Sequence, residues 1–207
     1  MWRFVSDYLS ASAMDLFKED PEEPELDLER LREAILYVCS LPEERRNISE
    51  TKLHKILFYA DREAYFELGD SITGATYIRH QFGPYAEVLP DTLEELESDG
   101  AVAVREYRVS GVELGPKVQH CPEVFTRPNT DVFSEEERKI LTRVAREIFP
   151  LDTTTVSQKS HDVVWESVEP FSEIPYYLSY LQVTEKDERD EIMDWAREKA
   201  QELQEEG

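Results

Sequence analysis

The chain is poor in cysteine and has no long apolar run. Its two cysteines, Cys39 and Cys121, are too few for a disulfide framework, so we expect free thiols in a reducing compartment. No apolar run approaches the roughly 20 residues that a membrane-spanning helix needs. The N-terminus also lacks the basic flank and apolar stretch of a secretory signal. These absences predict a cytoplasmic protein without a membrane partner.

Basic residues are scarce as well, since 23 of them face 46 acidic residues, for a formal net charge of -23. Such a surface repels nucleic acid phosphates and anionic lipids unless a local basic patch overrides it. We find no such patch, because Lys52, Lys55, Arg62 and Arg79 are separated along the chain and fit solvated positions better. The charge fits a protein from a salt-adapted host and an ordinary acidic protein equally well.

The residue patterns of nucleotide and metal sites are missing. The seven glycines are scattered, and none belongs to a Gly-x-Gly or Gly-Lys-Ser/Thr phosphate loop. His54 lacks the second histidine, one helical turn away, that a metal pair of the HExxH kind requires. His120 and Cys121 are adjacent, but further zinc ligands would have to come from unrelated segments. The sequence therefore predicts neither a metal nor a cofactor.

A hydrolytic centre is also not indicated. The run Ser160-His161-Asp162 has the residue types of a catalytic triad, but three consecutive residues cannot converge on one another as nucleophile, base and orienting acid. We therefore predict that the chain is not an enzyme. An enzyme stays open as an alternative if a cleft unites an acid, Asp61 or Glu63, with His54 or His161.

Helix-capping residues mark the helices of a mainly α (α+β) fold. Ser49 opens the strongest helix, which Gly69 ends, and aromatic residues off its apolar stripe place it at the centre of the fold. Ser134 and Glu137 form a capping box for a later helix. The predicted N-cap residues are Asp27, Ser49, Ser134 and Asp152.

The chain divides into three parts. Residues 1–48 are expected to form an N-terminal arm, a linker and a first helix, and residues 49–170 the central domain. Residues 171–207 form a C-terminal extension, which ends in an acidic helix at 187–204.

The β structure is predicted to be small. Residues 73–80 alternate enough to form one additional short strand, and residues 101–114 form a β-hairpin with a return strand at 112–114. Residues 119–131 contain several proline breaks and are predicted to be a loop.

The segment between these strands raises a second functional class. Gly83 and Pro84 form a structural turn that opens a helix, with Pro84 as its first residue and an interruption near Pro90. A helix followed by a hairpin is also typical of a winged-helix DNA-associated transcriptional regulator. Residues 84–99, however, contain six acidic residues and neither Lys nor Arg. This composition argues against direct contact with nucleic acid.

Four segments of the chain are similar to parts of the Panacea domain of SocA-like antitoxins. Residues 52–60 (Lys-Leu-His-Lys-Ile-Leu-Phe-Tyr-Ala) resemble the helix that opens this domain, and Phe82-Gly83-Pro84 resembles its aromatic-Gly-Pro turn. Residues 93–100 fit the following helix. Ser160-His161, followed by Trp165, resembles the Ser-His and Trp segment near the end of the domain. The resemblance covers about residues 51–168.

The resemblance implies an antitoxin that neutralises a toxin encoded by a neighbouring gene through protein-protein binding. Some members of the family also deliver their toxin to a protease, so a protease is a further partner that the resemblance implies. Antitoxins are often acidic because their toxins are often basic, which agrees with the charge of this chain. Our candidates for the partner-binding region are Phe82, Tyr85, His161 and Trp165, although core packing explains Phe82 and Trp165 at least as well.

Overall fold

A computed structural model describes residues 23–41, 48–109 and 117–182 of the chain. The predicted N-terminal arm before residue 23, the return strand at 112–114 and the acidic helix at 187–204 lie outside these residues. Within them, the structure is mainly helical with two small antiparallel sheets, which confirms the predicted α+β class.

Four of the described helices begin at the capping residues that the sequence predicted. Helix α1 spans Leu28–Ser40 behind Asp27, and helix α2 spans Glu50–Leu68 between Ser49 and Gly69. Ser134 and Glu137 form both bonds of a capping box at the start of a later helix. Each cap depends on hydrogen bonds within a few residues, which is why local sequence predicted it. The remaining α-helices are α3 (Val88–Ser98), α4 (Glu135–Ile148), α5 (Thr153–Lys159) and α6 (Val163–Glu166).

Helix α2 is buried on several sides, as its apolar pattern indicated. The core residues Leu53, Ile56 and Leu57 are fully buried, and Phe58, off the main stripe, is 1% exposed. Leu68 is an exception, because it lies at the helix end and remains 45% exposed. Helix α4 and the first hairpin pack against α2, so this helix positions most of the domain.

Two hairpins replace the predicted hairpin and lone strand. Strand β1 (Tyr77–His80) pairs with β2 (Gly83–Ala86), and β3 (Val102–Val109) pairs with β4 (Lys117–Val124). The predicted loop at 119–131 was therefore wrong over its first part, which belongs to β4. The predicted lone strand corresponds to β1, which pairs with β2 across a tight turn. Strand β2 contains Pro84, and this proline had suggested a helix.

Pro84 was predicted to be the first residue of a helix, and this was wrong. Pro84 lies in β2 opposite Arg79, and the preceding Gly83 has φ +96°, which no helical residue adopts. Helix α3 instead begins at Val88 and runs through Pro90 without a break. Pro90 is tolerated there because it stands in the first turn, where backbone N–H groups have no intrahelical acceptor.

Described residues before position 49 and after position 170 also pack onto the elements between them. The N–H of Asp27 donates to Thr73 O at 2.9 Å, and the N–H of Arg79 donates to Ser172 O at 2.9 Å. Through the bond from Arg79 to Ser172 and its neighbours, residues 171–174 lie along the edge of β1 that does not pair with β2. Two 3₁₀ turns, Thr130–Val132 and Tyr176–Gln182, complete the described elements.

A buried carboxylate on α2 binds the segment before β1, β1 itself and the second 3₁₀ turn. Asp61 Oδ1 accepts the N–H groups of Ile72 and Thr73 at 3.0 and 2.8 Å. Its Oδ2 accepts the hydroxyls of Thr73, Tyr77 and Tyr176 at 2.5, 2.6 and 3.4 Å. Asp61 is 1% exposed and serves the interior, so it does not supply the acid of a catalytic cleft.

Candidate functional site

A cleft of about 590 Å³ lies among the described residues. It lies between the start of α2, the β1–β2 hairpin, strand β4 and the start of α5. Its walls include Glu50, His54, Lys55, His80, Tyr85 and Asp152. Three of the four histidines of the chain line it, because His120 on β4 faces it as well.

Lys55 lies at this cleft and is almost completely buried. Its side chain was predicted to be solvated, but the residue is 2% exposed, and Nζ donates to Pro84 O at 2.8 Å. Burial lowers the pKa of the ammonium group to about 7. The nearby Arg62 was also predicted to be solvated and is 3% exposed. Sequence carried one signal of this burial, since Lys55 lies inside a helix that is apolar on more than one side.

Gly83 is required by close packing. A Cβ atom on this residue would lie 2.0 Å from Ser160 Oγ and 2.9 Å from Lys55 Cε, and the backbone has φ +96°. The lysine of α2, the Gly-Pro segment and Ser160 therefore meet at one point. These are three of the four segments on which the sequence resemblance rested, and their contact gives a physical reason why they occur together.

His54 is stacked against Tyr85 with 4.2 Å between ring centroids. Its Nδ1 accepts the N–H of Ala86 at 3.1 Å, which assigns the hydrogen of the neutral ring to Nε2. Nε2 is 3.9 Å from Glu50 Oε1, within ion-pair range but beyond a hydrogen bond. Burial lowers the pKa of His54, and the neighbouring His54 ring lowers the pKa of Glu50.

Exposed aromatic residues border the cleft. Phe82 is 59% exposed and Phe171 is 68% exposed. Both lie near His80, at centroid distances of 6.3 and 5.8 Å, and Tyr85 is 5.4 Å from the same ring. We call His80, Phe82, Tyr85 and Phe171 the aromatic rim. Phe171 also has φ +68°, an uncommon conformation for a residue with a side chain.

The other two predicted contact residues lie behind this rim. Trp165 Nε1 donates to His80 O at 3.2 Å, and His161 stacks on the Trp165 ring at 4.0 Å. The guanidinium of Arg79 lies 4.0 Å from the same ring. Phe82 and Tyr85 thus line the cleft, whereas His161 and Trp165 support β1 from the side. Sequence reasoning did not find His80 or Phe171, because the contacts that group them join distant parts of the chain.

Ser160 and Asp162, in the run that has the residue types of a catalytic triad, make structural contacts. Ser160 Oγ donates to Ser157 O at 2.9 Å, while Asp162 caps α6 and accepts from Arg62 at 3.4 Å. In the described part of the chain, no three His, Cys, Asp or Glu side chains are grouped as a metal site. Both cysteines are free thiols, as expected. Over residues 23–41, 48–109 and 117–182, no helix is long and apolar enough to span a bilayer.

Comparison with known proteins gives one family match. The family model described as "Antitoxin SocA-like, Panacea domain" matches residues 53–166. The match begins inside α2 and ends at the last residue of α6, so it includes both hairpins and the residues that surround Lys55. No curated protein matches the chain, and no solved structure does.

Proposed function

Because the chain belongs to the family of SocA-like antitoxins that carry a Panacea domain, we propose that it is a non-enzymatic antitoxin. It neutralises a protein toxin, encoded by a neighbouring gene, through direct binding in the cytoplasm. Two polar side chains of the cleft favour a binding role over a catalytic one. Lys55 Nζ and His54 Nδ1 are both hydrogen-bonded to backbone groups, so these atoms are occupied by structural contacts.

The observation that carries this proposal is the exposed aromatic rim. Aromatic side chains supply much of the binding energy in protein interfaces, and exposed apolar residues that are grouped together are typical of interaction sites. Phe82 and Phe171 both lie near His80, which lines a concave surface. A partner that covers this region would remove both phenylalanines from water.

The charge of the chain supports a basic partner. A net charge of -23 attracts a positively charged toxin over several ångströms and speeds encounter. Steering of this kind weakens as salt screens the charges, so the association rate is expected to fall with ionic strength while the aromatic contacts retain their contribution.

Co-expression with the neighbouring gene tests the proposal. The neighbour is expected to be toxic alone, to be tolerated together with this chain, and to co-purify with it. The half-life of the toxin in the same cells tests whether the antitoxin also delivers it to a protease. A neighbour that is harmless alone and forms no complex would refute the antitoxin function, and operator binding would be measured next.

Point variants locate the contact region. Phe82→Ala is expected to weaken toxin binding by about 30-fold or more, the loss typical of a buried aromatic anchor. Phe125→Ala is the matched control, because Phe125 is 63% exposed but lines a different cavity. Trp165→Ala tests the support of β1, with circular dichroism as the folding check. If Phe82→Ala and Trp165→Ala stay folded and neutralise fully, the contact assignment is wrong.

A further inference from the structure

Carboxylates surround the aromatic rim on the cleft side. Glu50 lines the cleft with its side chain 33% exposed, and the exposed Asp152 lines it from the start of α5. The pKa of Tyr85 is raised by burial and then by the carboxylates of Glu50, Glu87 and Asp91. The Tyr85 hydroxyl therefore lies in a region of negative potential.

The cationic side chain of Lys55, which also lines the cleft, does not fully neutralise the negative charge of these carboxylates. Lys55 Nζ already donates to Pro84 O, and its pKa of about 7 leaves it only partly protonated near neutral pH. His54 gives its Nδ1 to a backbone amide, and burial favours its neutral form. The cleft thus combines stacked ring faces with at least one ionised carboxylate.

We propose that this cleft binds an arginine side chain of the toxin, an inference that rests on the proposed antitoxin function. A guanidinium group stacks on aromatic faces and donates paired hydrogen bonds to carboxylates. Tyr85 and His80 offer the faces, and Glu50 offers the acceptor. The apolar stem of the arginine lies along Phe82 at the mouth of the cleft. Lysine fits less well, because its ammonium group neither stacks nor binds a carboxylate in two places.

The first experiment uses the full chain without a toxin. The probes are arginine blocked at both ends, blocked citrulline as the neutral isostere, and blocked glutamate. Blocked arginine is expected to shift the ring resonances of His80 and Tyr85 in a saturable way, and citrulline is not. Saturable binding of glutamate in place of arginine, or equal shifts with citrulline, would overturn the inference.

The second experiment measures binding of the purified toxin. Glu50→Gln is expected to weaken the complex by about tenfold, since it removes a carboxylate that contacts the guanidinium. Glu136→Gln removes the same charge from an exposed position on α4, outside the cleft, and is expected to change the affinity by less than about twofold. Equal effects of the two substitutions would show that only net charge matters.

The two experiments separate the inference from the function. If the toxin binds but Glu50→Gln behaves like Glu136→Gln and blocked arginine does not bind, the antitoxin function stands and the arginine site is refuted. If blocked arginine binds and no toxin complex forms, the site exists and the proposed function is wrong.

Discussion

Replacing Gly83 with alanine tests the central contact of the candidate site. The new methyl group would lie 2.0 Å from Ser160 Oγ and 2.9 Å from Lys55 Cε, far closer than atoms pack. Ser160 is fully buried, so its side chain cannot simply turn out into water. Either the hairpin or the end of α5 has to move.

The expected cost has two parts. A side chain at φ +96° costs about 1–2 kcal/mol, and overpacking of a buried site costs about 1–3 kcal/mol. The free energy of unfolding should therefore fall by about 2–5 kcal/mol. For a chain of this size, each 1 kcal/mol lowers Tm by roughly 2–4 °C. Urea unfolding followed by circular dichroism measures the loss through the midpoint and the slope.

Gly69→Ala is the matched control. Gly69 has φ +84°, but a Cβ atom there would have no neighbour within 4 Å. Its substitution should cost only the conformational part, about 1–2 kcal/mol. The difference between the two variants isolates the steric part at Gly83.

A double-mutant cycle adds a second check. In a Ser160→Ala background, Gly83→Ala should be less destabilising, because the 2.0 Å contact with Oγ is gone. The reasoning is refuted if Gly83→Ala costs no more than Gly69→Ala and shows no coupling to Ser160.

Two further substitutions test buried ionisable groups. Burial lowers the pKa of Lys55 from the ordinary 10.5 to about 7 in the folded chain. Between pH 7 and 10.5 the unfolded state therefore binds more protons than the folded state. The free energy of unfolding should rise with pH over this range, by up to about 1.4 kcal/mol per pH unit. Lys55→Met should lose this rise when unfolding free energies are compared at pH 7, 8 and 9, and an unchanged slope would contradict the assignment. Asp61→Asn should destabilise the fold by about 3 kcal/mol in urea, because the amide keeps one acceptor atom where the carboxylate has two, and either the backbone N–H groups or the hydroxyls around it lose their acceptor. The exposed Asp91→Asn should change stability by less than about 0.5 kcal/mol, and equal losses would show that the Asp61 network contributes little.

The parts of the site differ in how far the sequence could predict them. Phe82 and Tyr85 were singled out, and both line the cleft. Their neighbours His80 and Phe171 were not, because 91 residues separate them along the chain and only the addition of residues 171–174 to β1 brings them together. The burial of Lys55 was missed because the sequence does not show that Pro84 O lies within reach of Nζ.

The sequence alone determined what depends on near neighbours. The caps at Asp27, Ser49 and Ser134 follow from side chains that reach backbone N–H groups three residues away, and the central position of α2 follows from its apolar residues on several sides. Only the tertiary structure decided that Gly83 and Pro84 form a strand, since that conformation depends on pairing with β1 and on contacts with Lys55 and Ser160. The hydrogen bonds of a helix cap join residues within one helical turn, so the local sequence specifies them. Strand pairing and the burial of a charged side chain depend on which distant segments come into contact.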